Sequence, residues 1–213
     1  MTELQSRLIT SVVLFFILYL SIKFKFILLL TLVLIMYLLF FEIHFILTKI
    51  YNYKKKLKLF LYLFFSYLYV TFFVVIIWYF LNQSSENNLN LILLLFISIF
   101  SDIGGYLFGK IFKGKKLTKI SPNKTYSGLI GSYLLPCIIC LIFFQEIELN
   151  FNIILLVLVI SSVSQAGDLF ISYLKRKAKV KDTGNFLPGH GGLLDRFDGI
   201  LFAIPVGIFL ISV

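Results

Sequence analysis

Seven long apolar stretches, separated by short polar segments, limit the fold of this chain more than any other feature of its sequence. A transmembrane helix needs roughly 20 mostly apolar residues to cross about 30 Å of hydrocarbon, and a helix satisfies its own backbone hydrogen bonds there. We therefore predict an all-α fold, a polytopic membrane helix bundle with about seven transmembrane helices. The stretches, of which the first and last are the shortest, are residues 8–22, 26–48, 58–82, 88–112, 127–145, 151–175 and 199–213.

The composition supports a membrane environment. Only 14% of the 213 residues are charged and 60% are apolar, and the mean hydropathy is +0.98. Soluble domains usually carry about 25% charged residues. A soluble fold of this size could not bury so many Leu, Ile and Phe side chains. The sequence predicts an integral membrane protein, for which a bacterial inner membrane is the simplest location.

The basic residues predict how the chain is oriented in the membrane. If the N-terminus is cytoplasmic, 18 of the 20 Lys and Arg residues lie at cytoplasmic helix ends or in cytoplasmic loops, and only Lys23 and Lys25 do not. This asymmetry is what the positive-inside rule describes. The net charge of +10 therefore reflects topology, and we expect no nucleic-acid partner. The basic groups are Arg7 and the segments 49–58, 110–124 and 175–196.

The character of the stretches changes along the chain. We predict a single membrane domain over residues 1–213, with scaffold spans in 1–82 and catalytic spans and cytoplasmic loops in 88–213. The first three stretches are apolar nearly all round and contain one acid, Glu42, with His44 nearby. A functional and a structural role are both open for Glu42.

Two aspartates, Asp102 and Asp168, lie inside apolar stretches. An ionised carboxylate in hydrocarbon is costly, so such a residue is first considered functional. At 1.5 Å per residue, Asp102 lies about 12 Å from Lys110 along its helix, and Asp168 about 10 Å from Lys175. Since both helices are predicted to run from outside to inside, the two carboxylates could meet at one site.

Each of these aspartates belongs to a polar stripe with spacings of three or four residues, which is one helix face. The small residues of the stripes could equally serve only to pack helices together. The stripes are Ser98, Asp102, Gly105 and Gly109 in one helix, and Ser161, Gln165, Asp168, Ser172 and Lys175 in the other.

Two predicted cytoplasmic loops carry groups that bind phosphate. The loop at 113–128 is rich in lysine and contains Ser121 and Thr125, although basic loops also bind anionic lipid headgroups. The segment 172–198 places five basic residues before a glycine-rich turn at 188–192, whose backbone N–H groups could form an anion-binding nest. Asp195 and Asp198 then follow. Carboxylates bind Mg²⁺, while cations and backbone amides bind phosphates, so this pattern is typical of a metal–polyphosphate site.

The segment 172–198 resembles the signature of the phosphatidate cytidylyltransferase (CDP-diacylglycerol synthase) family. It reads S-x-x-K-R-x-x-x-x-K-D from Ser172 to Asp182, then H-G-G-x-x-D-R-x-D from His190 to Asp198. The resemblance covers about residues 101–199 and includes Asp102 with Tyr106, and Ser121-Pro122, Lys124-Thr125 and Gly128. One departure is Ser127, where the family usually has Glu, and its effect on the site is open.

The resemblance implies an enzyme of phospholipid biosynthesis, a CTP-dependent nucleotidyltransferase. Phosphatidate would attack the α-phosphorus of CTP, giving CDP-diacylglycerol and pyrophosphate at the cytoplasmic side of the membrane. The second pKa of a phosphate monoester is about 6, so the group is mostly dianionic at neutral pH. No general base is therefore needed to deprotonate it. The partners would be CTP, phosphatidate and membrane lipid, and a homodimer is left open.

The resemblance also implies roles for individual residues. Asp168 and Asp195 would bind catalytic Mg²⁺, with Asp198 and Asp102 available for a second cation or its outer shell. His190 could instead only shape its turn, and Asp182 could be a ligand or an ion-pair partner. The implied catalytic residues are Asp168, Asp195, Lys175 and Arg176, and the implied substrate-binding residues are Ser121, Lys124, Thr125, Ser172, Lys181, His190, Gly191, Gly192 and Arg196.

Three alternatives compete with this interpretation. A CTP-dependent lipid kinase and a cytidylyltransferase for another phosphorylated lipid would use similar residues. A small cation or lipid transporter could also contain intramembrane aspartates. Polar residues are scarce in the outer halves of these stretches, which argues against a permeation path.

Overall fold

The computed structural model describes residues 3–51, 56–84, 86–118, 121, 124–143, 151–186 and 191–212, without the side chains of 3–11, 151 and 152. This part of the chain forms α-helices and one isolated β-bridge, between Lys116 and Thr125. The helices are α1 (Glu3–Lys23), α2 (Lys25–Tyr51), α3 (Lys56–Gln83), α4 (Glu86–Phe112), α5 (Tyr126–Phe143), α6 (Phe151–Lys177), α7 (Leu194–Phe197) and α8 (Ile200–Ser212).

The predicted all-α membrane fold is confirmed. Each of the seven apolar stretches coincides with one helix, and α7, which has only four residues, is the additional element. Among the described residues, four helices (α2, α3, α4 and α6) are long and apolar enough to cross a membrane. The part of α1 whose side chains are described (Val12–Lys23), α5 and α8 form shorter apolar helices. The number of seven spans stays a prediction.

Large apolar side chains cover the helix surfaces. Phe15 and Leu57, for example, are each 72% exposed. A soluble protein rarely exposes so extensive an apolar surface, because its contact with water is unfavourable. These side chains are suited to lipid, and the chain is an integral membrane protein.

The chain divides into two compact units. Unit 1 comprises Met1–Asn82 and Leu174–Phe197, and unit 2 comprises Gln83–Tyr173 and Asp198–Val213. The chain passes between them within α6 and again directly after α7. The end of α6 and the segment after it, which the sequence analysis grouped with the catalytic spans, therefore belong to the same unit as α1–α3.

Unit 1 is held together by apolar packing and a few hydrogen bonds between helices. Leu39, Val70 and Phe73 are almost completely buried in its core. A hydrogen bond of 3.1 Å joins the hydroxyl groups of Ser21 in α1 and Thr31 in α2. The short helix α7 contacts α2, which places the segment before it next to a membrane helix.

Unit 2 depends on close packing between α4 and α5. A Cβ atom at Gly104 would lie against the backbone carbonyl of Gly131, and one at Gly128 would lie 2.6 Å from the carbonyl oxygen of Gly105. Glycine removes the side chain that would keep the two backbones apart. The close packing requires glycine at 104 and 128, whereas a Cβ atom at Gly105, for which the sequence left a packing role open, would lie 3.8 Å from its nearest neighbours.

Four buried serines in unit 2 are unusual. In the described part of the chain their hydroxyl groups have no hydrogen-bond partner, although their exposure is zero. Ser162, by contrast, donates to the carbonyl of Leu158 one turn earlier, as helical hydroxyls in membranes commonly do. The four residues are Ser98, Ser101, Ser161 and Ser164.

Candidate active site

The charged residues that the sequence singled out form two groups, one in each unit. The Asp168 cluster, in unit 2, contains Asp102, Lys124, Asp168, Ser172 and Asp198. The Asp195 cluster, in unit 1, contains Glu42, Lys175, Thr183, Gly192 and Asp195.

Asp168 is the centre of the first cluster. The ammonium group of Lys124 lies 2.6 Å from its Oδ2, and the hydroxyl of Ser172, one helical turn later in α6, donates to its Oδ1 at 3.2 Å. The side chains of Lys124 and Asp168 are 22% and 24% exposed. The carboxylate is thus held in place by a cation and a hydroxyl while one side stays open to a ligand.

Asp198, in the turn between α7 and α8, supplies a second carboxyl group. It lies within hydrogen-bonding distance of the Asp168 carboxyl, and the backbone N–H of Gly199 donates to its Oδ1 at 2.9 Å. Burial and the negative charge of Asp168 raise the pKa of Asp198 to about 8. Two carboxylates this close repel one another, and a bound cation would remove the repulsion.

Asp102 lies on an exposed face of α4. It is close enough to Asp168 and Lys124 for their charges to interact with its own. One turn further along, Tyr106 is exposed, and the ammonium group of Lys110 donates to its hydroxyl at 3.4 Å. The structure therefore brings Asp102 and Asp168 into one electrostatic neighbourhood.

A small hairpin between α4 and α5 positions Lys124. The backbone N–H of Leu117 donates to the carbonyl of Lys124 at 2.8 Å, and that of Lys124 donates to Ser121 at 3.1 Å. Positive φ angles at Lys113 and Gly114 turn the chain away from α4. Ser121 therefore contributes its backbone to the support of Lys124.

Thr125 begins α5. Its hydroxyl accepts the backbone N–H of Gly128 at 3.1 Å, which is the bond that an N-cap residue makes. Ser127 donates its hydroxyl to the carbonyl of Lys113 at the base of the hairpin. In this chain, the position where the family usually has Glu thus closes the hairpin.

In the second cluster, Asp195 accepts several hydrogen bonds. Lys175 donates to its Oδ1 at 2.7 Å. Its Oδ2 receives the backbone N–H groups of Thr183 at 2.8 Å and Gly192 at 3.1 Å. Burial acts to raise the pKa of Asp195, but the bond from Lys175 and those from the two amides together hold it below its usual value.

Glu42 in α2 belongs to the same cluster and has zero exposure. Its carboxylate accepts the hydroxyl of Thr183 at 2.6 Å and the backbone N–H groups of Leu193 at 2.7 Å and Leu194 at 2.8 Å. The sequence left the role of Glu42 open and did not point to Thr183 at all. A threonine in a basic loop carries no distinguishing pattern.

The model of the Cytidylyltransferase family matches residues 1–213. This chain belongs to the cytidylyltransferase family.

Curated relatives of the chain carry the name phosphatidate cytidylyltransferase. The protein from Staphylococcus haemolyticus (strain JCSC1435) is 44% identical over 133 residues, covering 60% of this chain and 51% of the relative. The one from Rickettsia typhi (strain ATCC VR-144 / Wilmington) is 42% identical over 135 residues, covering 58% and 59%. The one from Staphylococcus aureus (strain COL) is 40% identical over 139 residues, covering 63% and 54%. The chain thus spans about half the length of these relatives.

A divalent metal is implied by the resemblance to this family, and the donor set can be tested for it. In the described residues, no three His, Cys, Asp or Glu side chains are close enough to hold a metal ion by themselves. Mg²⁺, however, is usually bound by one or two carboxylates together with water and substrate phosphates. The adjacent carboxyl groups of Asp168 and Asp198 fit that requirement. The sharing of ions between Asp168 and Asp195 stays a prediction.

Four other residues predicted for a cytidylyltransferase site belong to unit 1, and their roles stay predictions. Arg176, Lys181, Asp182 and Arg196 are exposed, and Asp182 lies beside Gly191, where a Cβ atom would be 3.7 Å from that of Asp182. His190 and the rest of 187–190 lie outside the described residues, so the predicted anion-binding nest is untested.

Proposed function

We propose that this protein transfers the cytidylyl group of CTP to phosphatidate, forming CDP-diacylglycerol and pyrophosphate. The observation that carries the proposal is the Asp168 cluster, in which two carboxyl groups and a lysine meet at a membrane helix. Membership of the cytidylyltransferase family and the name that the curated relatives bear support it.

The substrates explain why such a site belongs to a membrane helix. Phosphatidate keeps its acyl chains in the bilayer, whereas CTP is dissolved in the cytosol. Asp168 is about two turns from Lys175, the start of the basic end of α6, so a phosphate there stays close to the membrane surface. We place the site on the cytoplasmic side of a bacterial inner membrane, where the basic loops are expected.

A magnesium ion would be held by Asp168 and Asp198, with Asp102 near them and Asp195 as the further ligand expected from the sequence. When bound, it would neutralise phosphate charge and orient the phosphates. A second cation is part of the same proposal, because one divalent ion and Lys124 only balance the three neighbouring carboxylates, and the phosphates of CTP and phosphatidate add further negative charge.

The side chains of this protein would bind and orient the two substrates. The phosphate of phosphatidate is already a nucleophile near neutral pH, since its second pKa is about 6. One of its oxygens forms the new bond to the α-phosphorus of CTP, and the bond from that phosphorus to the bridging oxygen breaks, with its electron pair leaving on pyrophosphate. Cations stabilise the charge that develops during this transfer: Lys124, Lys175, Arg176, Lys181 and Arg196.

Labelled CTP tests the reaction class. Purified protein in lipid nanodiscs, given phosphatidate and Mg²⁺, should incorporate label from the α-phosphate of CTP into lipid and none from the γ-phosphate. Asp168→Asn should lower the rate on the order of 100-fold, the cost of losing one charge-stabilising group. Glu86→Gln, an equivalent acid-to-amide change in the first turn of α4 and outside both clusters, is the control and should keep wild-type activity. Lipid labelled from the γ-phosphate would instead identify a kinase and refute the proposal.

A further inference from the structure

Glu42 is a completely buried carboxylate in a membrane helix, within the part of the chain predicted to be scaffold. Burying a charge is costly unless hydrogen bonds compensate for it. Here the compensation comes from a single segment after α6: the hydroxyl of Thr183 and the backbone amides of Leu193 and Leu194. Glu42 therefore attaches both ends of that segment to α2.

The same segment carries the groups of the Asp195 cluster. The hydroxyl oxygen of Thr183 lies 2.6 Å from Oε2 of Glu42 and 3.0 Å from Oδ2 of Asp195. A hydroxyl has one proton, so it donates to the nearer carboxylate, Glu42, while the backbone N–H of Thr183 donates to Asp195. Asp195 in turn accepts Lys175. Thr183 thus connects Glu42 to the ion pair of Lys175 and Asp195.

Two glycines show how closely the segment surrounds this carboxylate. A Cβ atom at Gly184 would lie 2.9 Å from Oε1 of Glu42, and one at Gly192 would lie 2.6 Å from Oε2. These distances are shorter than van der Waals contact, so only glycine allows the backbone to approach. The second glycine of the H-G-G motif, Gly192, is therefore required by its close approach to Glu42.

We propose that Glu42 is a positioning residue of the CTP site: it holds residues 183–186 and 191–195 so that Lys175 and Asp195 face the triphosphate in a fixed arrangement. The inference rests on the proposed function. It assigns to α2 a part in the active site, although Glu42 itself does not touch substrate. Glutamine cannot replace it fully, because its amide NH₂ would face one of the two backbone N–H donors.

The test compares variants that remove single bonds. Glu42→Gln and Thr183→Val keep side-chain size, and Thr183→Ser restores the hydroxyl. Two controls lie in unit 1 away from the cluster: His44→Gln, on the same helix and exposed, and Thr71→Val, whose hydroxyl donates within α3 to Tyr67. Each protein is assayed in nanodiscs for kcat and for KM toward CTP and phosphatidate.

Misplacement of phosphate-binding groups should appear as weaker CTP binding. Glu42→Gln and Thr183→Val should raise the KM for CTP about 10-fold or more, the effect of losing one buried hydrogen bond, with the KM for phosphatidate unchanged. Thr183→Ser should return it to within about 3-fold of wild type. A purely structural role would instead reduce the amount of active protein and lower kcat at unchanged KM, which would overturn the proposal.

Amide hydrogen exchange supplies a readout that does not need activity. In Glu42→Gln and Thr183→Val, peptides covering 178–186 and 191–197 should exchange at least about 10-fold faster, because local opening becomes easier, while peptides of α3 stay as in wild type. Unchanged exchange in those segments would refute the role of Glu42. If the wild-type protein makes no CDP-diacylglycerol, the proposed function fails, and the exchange data still decide whether Glu42 holds the segment.

Discussion

Asp195 and Asp168 have different surroundings in this protein. Asp195 accepts hydrogen bonds on both oxygens, from Lys175, Thr183 and Gly192. Asp168 is paired with Lys124 and Ser172 and lies against the carboxyl group of Asp198. The sequence pointed to Asp168 as an acid inside an apolar stretch, and the family resemblance implied a metal-binding role for both. Neither could distinguish a carboxylate whose hydrogen bonds come from the protein from one that faces another carboxylate.

The lowered pKa of Asp195 leads to a prediction about how the stability of the protein changes at acidic pH. Its pKa in the folded state lies below the unfolded value of about 3.9. Ionised Asp195 therefore stabilises the folded form at pH values above the unfolded pKa. This stabilisation is lost as the pH falls through the pKa of the folded state. Asp195→Asn should remove part of the decrease in melting temperature between about pH 6 and about pH 3, measured with EDTA in detergent.

The exposed neighbour Asp182 provides the control. Asp182→Asn, in the same segment, should keep the wild-type pH dependence. An Asp195→Asn protein whose melting temperature falls as steeply as that of wild type would show that the hydrogen bonds to Asp195 contribute nothing to acid stability.

At the scale of elements, the seven apolar helices could be predicted, and the four-residue helix α7 and the hairpin before α5 could not. The apolar stretches at 26–48 and 58–82 lie within α2 and α3, because bilayer thickness determines the length of any span. The hairpin before α5 and the four-residue helix α7 carry no comparable periodic signal. They are held by individual hydrogen bonds, such as those from Leu117 to Lys124 and from Leu194 to Glu42.

The contact of α4 with α5 predicts unequal effects at two adjacent glycines. A Cβ atom at Gly104 would collide with the backbone of Gly131, whereas one at Gly105 would lie 3.8 Å from Gly128 and Ser132, an ordinary contact. Gly104→Ala should therefore destabilise the protein by about 1–3 kcal/mol, the usual cost of overpacking. Gly105→Ala is the matched control and should change stability little.

Thermal unfolding of both variants in the same detergent measures the difference. Equal melting temperatures for Gly104→Ala and Gly105→Ala would contradict the close approach of α4 and α5 at Gly104.

At the scale of the whole molecule, the basic residues predict which loops face the cytoplasm. Ser84, between α3 and α4, and Asn185, in the segment after α6, are both exposed and should lie on opposite sides of the membrane. In a background with Cys137→Ser and Cys140→Ser, Ser84→Cys should react with a membrane-impermeant maleimide added to intact cells. Asn185→Cys should react only after the membrane is permeabilised.

Labelling of both positions after permeabilisation controls for accessibility. Reaction of Asn185→Cys in intact cells, with protection of Ser84→Cys, would reverse the predicted topology and move the proposed site to the other face.

The amino-acid sequence by itself determined that this protein is a helical membrane protein. It also determined which acidic and basic side chains are available for a site. Those properties depend on local quantities, namely the apolar length of a stretch and the cost of a charge within it. The tertiary structure alone decided which groups donate hydrogen bonds to each carboxylate. Glu42 is bonded to Thr183 and Leu194, which lie 141 and 152 positions away, and no spacing rule reaches that far, because such contacts depend on how helices pack and not on the periodicity of either segment.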